Sequence, residues 1–156
     1  MSVSTSPSRA HLSAVDTDGA ATAFLAYEHV LLSIPFGEER RARKFYVDVL
    51  GFTEVVRPES LGGTGGGWFR AGPVNLHLGS EKDFTPARLA HPALLVSDLA
   101  PLIARCEAAG HKTIPAEKLP GFNRCHVHDP FGNRIELMER GCGDAEMRRC
   151  ETTSGR

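Results

Sequence analysis

Apolar and polar residues alternate on both sides of a short Asp-Pro-Phe-Gly segment near the end of the chain. Cys125 and Val127 occupy alternate positions before this segment, and Ile135 and Leu137 do the same after it. A period of two is typical of a strand with one buried face. Asp, Pro and Gly at the first, second and fourth positions favour a type I turn over Asp129–Gly132. The stretch therefore predicts two strands joined by a tight turn.

The rest of the chain carries two copies of one succession of patterns: a strand, an amphipathic helix and three further strands. In each helix apolar residues recur three and four positions apart, and a glycine follows the last turn. The predicted elements of the first copy are strand Glu28–Ile34, helix Glu38–Leu50, strand Phe52–Val56, loop Arg57–Gly67 and strands Trp68–Arg70 and Val74–Leu78. Those of the second are strand Ala90–Val96, a helix from Ser97 or Asp98 to Ala109, strand Lys112–Ile114, loop Pro115–Asn123 and the two strands around the turn.

Spacing supports an internal repeat. The glycine that ends each helix lies 26 positions before His77 in the first copy and 26 before Glu136 in the second. The first copy has three extra residues near the start of its helix. Once these are allowed for, His29 aligns with His91. These positions are therefore equivalent in pairs, first strand with first strand and last strand with last strand.

All four equivalent positions hold residues that bind metals, each on the strand face opposite the aliphatic side chains. If the two copies pair about a pseudo-two-fold axis, His29, His77, His91 and Glu136 converge on one concave surface. Imidazole and carboxylate suit Fe, Mn, Co, Ni or Zn, so we predict one divalent metal ion with these ligands. Glu136 is also the candidate catalytic base. The alternative is that each histidine is an ordinary hydrogen-bonded residue of a half-buried strand, and that His77 only lines the cavity.

Five further residues are candidate substrate contacts. Arginine can bind a substrate carboxylate or phosphonate through two hydrogen bonds. Phe122 falls in a predicted loop that could close over the site, and His126 is a candidate substrate contact or proton shuttle, while strand parity does not decide which side Trp68 takes. The set is Trp68, Arg70, Phe122, Arg124 and His126.

Composition limits the kinds of partner and the cellular location that we expect. The chain has 156 residues, a net charge of -1 and no basic stripe, so we expect small-molecule partners and no nucleic acid. It has no apolar run long enough for a membrane span and no signal-peptide core. Its four cysteines lack C-x-x-C spacing, which favours reduced thiols and a cytoplasmic location.

The domain organisation follows from these patterns. We predict a disordered leader over 1–23, one domain over 24–140 with modules 24–85 and 86–140, and a flexible tail over 141–156. The predicted fold is α+β, with two tandem βαβββ modules forming a cup-shaped mixed sheet, and a homodimer is one expected assembly.

The repeated βαβββ pattern, the helix ending F-Y-V-D-V-L-G-F, the segment D-P-F-G-N-R-I-E-L-M-E and the first-strand histidines resemble the vicinal oxygen chelate superfamily. This superfamily includes glyoxalase I, extradiol dioxygenases, fosfomycin-resistance enzymes and bleomycin-resistance proteins. The resemblance implies metal ligands in the first and last strands of each module, at His29, His77, His91 and Glu136.

The resemblance implies two functions. One is a metal-dependent, glyoxalase-like enzyme that chelates a small substrate through adjacent oxygens for isomerisation, addition or dioxygenation. Glyoxalase I usually has a carboxylate where this chain has His77, whereas extradiol dioxygenases use two histidines and one glutamate, which His29, His91 and Glu136 would supply. The other is a non-catalytic protein that binds a drug or metabolite in the same cup.

Overall fold

The computed structural model describes residues 23–58, 60 and 65–141. The predicted leader and tail lie almost entirely outside the described residues, so they remain predictions. Within the described part, Cys106 and Cys125 are free thiols buried in the core. None of the described helices has the length and apolar character needed to cross a membrane.

The described elements form two modules of the same construction. Each first strand pairs in parallel with the last strand of its own module, and the remaining pairs are antiparallel. The sheet orders are β1-β4-β3-β2 and β5-β8-β7-β6. The predicted α+β fold of two tandem βαβββ modules is confirmed. The elements are β1 Val30–Pro35, α1 Glu39–Arg43, β2 Thr53–Val55, β3 Gly67–Ala71, β4 Val74–Glu81, β5 Ala93–Val96, α2 Ala100–Ala108, β6 Thr113–Pro115, β7 Phe122–His128 and β8 Arg134–Arg140.

Strand register agrees with the alignment of the two copies. Leu31 of β1 pairs with His77, and Ala93 of β5 pairs with Glu136. Leu31 lies two positions after His29 and Ala93 lies two positions after His91, so both modules align their first and last strands alike.

The first helix has an unexpected second half. It is α-helical only over Glu39–Arg43 and continues as a π-helix over Lys44–Val49. The amide of Leu50 accordingly donates to the carbonyl of Phe45, five residues back, at 2.9 Å. The wider turn accompanies full burial of the adjacent side chains of Phe45 and Tyr46, whose rings meet edge to face at 5.1 Å.

The prediction that Phe122 and Asn123 lie in a loop is wrong. Both belong to β7, where they pair with Arg140 and Glu139 of β8. Because β8 extends to Arg140, it offers strand partners to the residues that come just before the predicted start of the hairpin. The guanidinium of Arg140 also lies 5.7 Å from the centre of the Phe122 ring. Phe122 is therefore fixed in the sheet and is not part of a closing loop.

A buried polar cluster joins the two modules. The hydroxyl of Tyr46 in the π-helix donates to Oδ2 of Asp129 at 2.9 Å. Asn133 donates from Nδ2 to the same oxygen and to the carbonyl of Ser33 in β1, both at 2.8 Å. Burial, and next the charge of Asp129, raise the pKa of Tyr46, so its hydroxyl stays protonated and donates. The predicted turn is present, with the Gly132 amide donating to the Asp129 carbonyl at 3.1 Å.

We predict that Tyr46→Phe lowers the free energy of unfolding by about 2 kcal/mol, because it removes a buried hydrogen bond to a carboxylate. Asp129→Ala should cost more, since it leaves several buried donors without an acceptor. Urea denaturation at pH 7 measures both. Tyr27→Phe is the matched control, because Tyr27 is 98% exposed. Equal stability of the Tyr46 and Tyr27 variants would contradict the role given to the cluster.

Candidate metal centre and groove

Three donor side chains meet on the open face of the second sheet, the face turned away from the helices. His126 in β7 lies directly opposite Glu136 in β8. The amide of Glu136 donates to the carbonyl of Pro92 at 2.9 Å, which places His91, two residues before β5, beside it. One ligand atom from each of His91, His126 and Glu136 lies within 4.8 Å of the others.

His91 is oriented by the chain that precedes it. Its Nδ1 lies 2.7 Å from the carbonyl oxygen of Leu89, and its Nε2 lies 3.4 Å from Oε2 of Glu136. Arg134 also donates to the Leu89 carbonyl at 2.5 Å, and its Nη2 lies 3.0 Å from Nδ1 of His91. With the proton on Nδ1, His91 donates to Leu89 and keeps a lone pair on Nε2; with the proton on Nε2, it donates to Glu136. A metal ion at Nε2 would require the first tautomer.

Glu136 is buried, with 6% of its surface exposed. Arg124 donates from Nη1 to Oε1 of Glu136 at 2.7 Å and from Nε to the carbonyl of Glu117 at 2.8 Å. Burial alone would raise the pKa of Glu136, but the hydrogen bond and charge of Arg124, assisted by His91 and His126, outweigh it and lower that pKa. Glu136 is therefore ionised at neutral pH, with Oε2 directed toward His91.

His126 completes the cluster. Its ring meets that of His91 nearly at right angles, with the ring centres 5.3 Å apart. Burial lowers the pKa of His126; the charge of Glu136 opposes this, and the charges of Arg134, His91 and Arg124 add to it. The imidazole is thus neutral near pH 7 and able to donate a lone pair.

The open face of the first sheet holds a column of three rings. The His77 ring stacks on Trp68 at 4.1 Å with 4° between the planes, and on His29 at 4.1 Å with 21°. Burial, followed by the neighbouring charge of His29, lowers the pKa of His77. This column places Trp68 on the open face, while Phe69 is buried in the core.

A groove of about 880 Å³ runs between β1 and β5. His29 and His91 both line it, together with Asn133, whose side chain holds β1. The predicted ligands therefore occur as two pairs: His29 stacks on His77, and His91 contacts Glu136. Within the described residues, the group of three or more closely placed metal-ligand atoms includes His91 and Glu136. It does not include His29 or His77. The four-ligand set remains a prediction.

The predicted substrate contacts are divided among three places. Arg124 and His126 adjoin Glu136, and Trp68 belongs to the ring column. Arg70 donates from Nε to Oδ1 of Asn75 at 3.0 Å on the first sheet, and Phe122 lies at the far end of β7. Their roles in substrate binding remain predictions.

The sequence analysis treated His126 as a substrate contact and did not foresee that it lies beside His91 and Glu136. The relevant signal was the length of the turn: the Asp129 amide donates to the Asn133 carbonyl at 2.9 Å, so five residues connect the strands. That length places His128 opposite Arg134 and hence His126 opposite Glu136. A turn of even length would have shifted this pairing by one residue.

The donor set fits a divalent transition metal. Two imidazoles and one carboxylate form the facial set used by non-haem iron enzymes, and zinc and manganese accept the same ligands. The carboxylate is ionised, and its second oxygen is already held by Arg124. Outer contacts of this kind orient metal ligands in proteins.

We predict that Arg124→Met lowers the free energy of unfolding at pH 7 by about 2 kcal/mol, because it leaves the buried Glu136 carboxylate without its cation. Since the folded-state pKa of Glu136 is lowered, this stabilisation is present above the unfolded pKa of about 4.3 and is lost as the pH falls through the folded pKa. The difference from wild type should therefore shrink in acid, as urea titrations at several pH values would show. Arg70→Met, which removes an exposed contact, is the control. A difference that did not change with pH would contradict this account.

Comparisons with known proteins agree with this fold. A glyoxalase family protein from Bacillus anthracis is 37% identical, covers 78% of the chain and 100% of its own length, and superposes with a TM-score of 0.74. An antibiotic-binding protein from a Streptomyces species is 24% identical, with 76% and 100% coverage and a TM-score of 0.56. A fosfomycin resistance protein from Listeria monocytogenes is 13% identical, with 76% and 96% coverage and a TM-score of 0.60. Likeness at these two lower identities concerns the fold alone.

The comparison with curated proteins gave no match. The family model described as Glyoxalase/Bleomycin resistance protein/Dioxygenase superfamily matches residues 27–137, which is most of the chain. Together with the Bacillus anthracis relative and the two βαβββ modules, this match shows that the chain belongs to the glyoxalase/bleomycin resistance/dioxygenase superfamily.

Proposed function

We propose that the chain is a metal-dependent, glyoxalase-like enzyme acting on a small substrate with two adjacent oxygens. The observation that carries this proposal is the cluster of His91, His126 and Glu136, whose donor atoms lie within 4.8 Å, beside a groove lined by His91. A bound Fe, Mn, Co, Ni or Zn ion would supply Lewis-acid polarisation of the substrate oxygens. The proposed reaction classes are isomerisation, addition and dioxygenation.

The chain's own residues provide the acid–base chemistry. Glu136 is the proposed general base, because its ionised carboxylate faces the cluster through Oε2, which would accept the proton when it is not bound to the ion. Arg124 keeps the other oxygen occupied, so the carboxylate has a defined orientation before the substrate binds. His126 is neutral and lies beside the carboxylate, and we propose that it binds the ion or relays a proton.

The size of the groove supports a small-molecule substrate. Its volume of about 880 Å³ lies within the roughly 300–1,000 Å³ common for such sites. Aliphatic residues of β1 and β5, including Leu31 and Leu95, form much of its lining. We propose a substrate with an apolar body and a polar end that reaches the cluster.

A homodimer and a cytoplasmic location are part of the proposal. The segment before β1 exposes Phe24, Leu25 and Tyr27 almost completely, at 97%, 95% and 98%. Tyr27 also lines the groove. Exposed apolar side chains beside a groove are typical of a contact surface, and a second copy of the chain would cover them. The reduced, buried thiols of Cys106 and Cys125 support the cytoplasm.

The second candidate is a non-catalytic protein that binds a drug or metabolite. The column of His29, His77 and Trp68 favours it, because stacked rings offer a face to a planar ligand. A structural relative from Streptomyces is described as an antibiotic-binding protein. In this reading the groove and the column bind the ligand, and the histidine–glutamate cluster is not needed.

We predict that chelator-treated protein takes up one divalent ion per chain when dialysed against Fe, Mn, Co, Ni or Zn, since three ionised or lone-pair donors are already close together. Elemental analysis against protein concentration measures the ratio. His91→Ala should abolish stoichiometric binding. Wild-type protein that gains no metal, but binds a planar drug equally well with and without chelator, would favour the non-catalytic candidate.

A further inference from the structure

We propose that Asn133 is a specificity-determining residue, whose side-chain oxygen Oδ1 binds a hydrogen-bond donor of the ligand in the groove. The substrate class is then a small molecule with a chelating end, an apolar body and a hydroxyl, N–H or ammonium group at its other end. This inference rests on the proposed function, because it requires a ligand whose chelating end reaches the cluster at His91.

Asn133 is held by hydrogen bonds within the protein. Its amide donates to Oδ1 of Asp129 at 2.8 Å, and its carbonyl accepts from the Asp129 amide at 2.9 Å. Its Nδ2 has two acceptors, the carbonyl of Ser33 and Oδ2 of Asp129, both at 2.8 Å. Among the residues that the structure describes, none donates to Oδ1 of Asn133. The Oδ1 atom is therefore the hydrogen-bonding group that this side chain can offer to a ligand.

The orientation of the Asn133 side-chain amide is fixed by its surroundings. Turning it over would put Oδ1 against the carboxylate of Asp129 and the carbonyl of Ser33, which are both acceptors. Asp129 is itself held by the hydroxyl of Tyr46 and the amide of Phe131, each at 2.9 Å. Because Nδ2 donates to a charged group, Oδ1 also becomes a stronger acceptor. Asn133 thus presents an acceptor in one orientation, before any ligand binds.

The groove brings Asn133 and the cluster to the same ligand. Asn133 is 5% exposed and lines the groove, as His91 does. Asn133 precedes Glu136 by three residues, which places their backbones about 10 Å apart where the chain is extended. A ligand of about this length reaches both. Its donor at Asn133 is then separated from its chelating end by the apolar body.

The equivalent position of the first module holds an apolar residue. Val74 precedes His77 by three positions, as Asn133 precedes Glu136, so the repeat makes Val74 and Asn133 equivalent. Both line the groove. Two points of the groove that the repeat relates therefore differ in chemistry, because one offers an oxygen and the other a branched alkyl group. A donor on the ligand distinguishes the two directions in which the ligand could lie.

Calorimetry with matched probes tests this inference. The probes are benzohydroxamic acids, which chelate metals through two adjacent oxygens, with a hydroxymethyl, ethyl or formyl group in the para position. Hydroxymethyl carries a donor, ethyl has nearly the same shape without one, and formyl carries only an acceptor. Full-length wild-type protein loaded with zinc should bind the hydroxymethyl probe about five- to tenfold more tightly than either of the others, as expected for one hydrogen bond.

Variants identify the group responsible. In Asn133→Ala and Asn133→Ser the preference for hydroxymethyl over ethyl should fall to within about twofold, because neither side chain places an acceptor at the position of Oδ1. Val74→Ala is the matched control at the equivalent position, and it should keep the preference. Circular dichroism reports folding, since both Asn133 variants lose the bond to Ser33. If neither variant folds, the wild-type ranking still decides, because a neighbouring cation such as Arg134 would favour formyl over ethyl.

Each outcome has one meaning. A preference for hydroxymethyl that disappears in the folded Asn133 variants supports the inference. Equal binding of hydroxymethyl and ethyl, a preference for formyl, a preference that survives in the folded Asn133 variants, or no binding of any probe overturns it. Zinc uptake is measured before any probe is added, so the proposed function is tested separately. Failure of the wild type to take up zinc overturns the proposed function and the inference together.

Discussion

The ionised carboxylate of Glu136, buried on the open face of the second sheet, is the constraint on which the site depends. A carboxylate that is 6% exposed must be compensated by cations or hydrogen-bond donors, because its desolvation costs several kcal/mol. Arg124 provides that compensation at one oxygen, and His91 adjoins the other. The backbone of Pro92 fixes the strand that carries it. A carboxylate held in this way is stable without a metal ion. It still directs one oxygen toward the place where an ion would bind.

The two modules share one fold but carry different side chains on their open faces. Both sheets have the same strand order and the same register between first and last strands. The equivalent positions on the open faces nevertheless hold a ring column in one module and a histidine–glutamate cluster in the other. The groove lies between the two first strands, so a ligand there would contact His29 of the column and His91 of the cluster. A stacking surface in one module and a polar cluster in the other suit the proposed substrate, which has an apolar body and a chelating end.

The sequence was enough to predict the fold because two independent signals agreed. Alternating apolar positions located the strands, and the equal spacings to His77 and Glu136 aligned the modules. The limits of several elements were set by tertiary contacts that no local pattern records. Phe122 joined a strand because β8 extends to Arg140, and the helix widened at Phe45.

The site was less predictable than the fold for a geometric reason. Equivalence of sequence positions says which residues share a place in each module, but not how a side chain turns there. His29 and His77 stack on each other, and His126 meets Glu136 because the turn at Asp129 has five residues. Ring orientation is a property of packing, and the register of the last two strands depends on how many residues the turn includes.

The most direct test is a crystal structure of the protein soaked with zinc, with anomalous differences recorded on both sides of the zinc edge. The account predicts one anomalous peak per chain, within about 2.0–2.2 Å of donor atoms of His91, His126 and Glu136. The lack of any peak at this cluster in zinc-soaked crystals would contradict it.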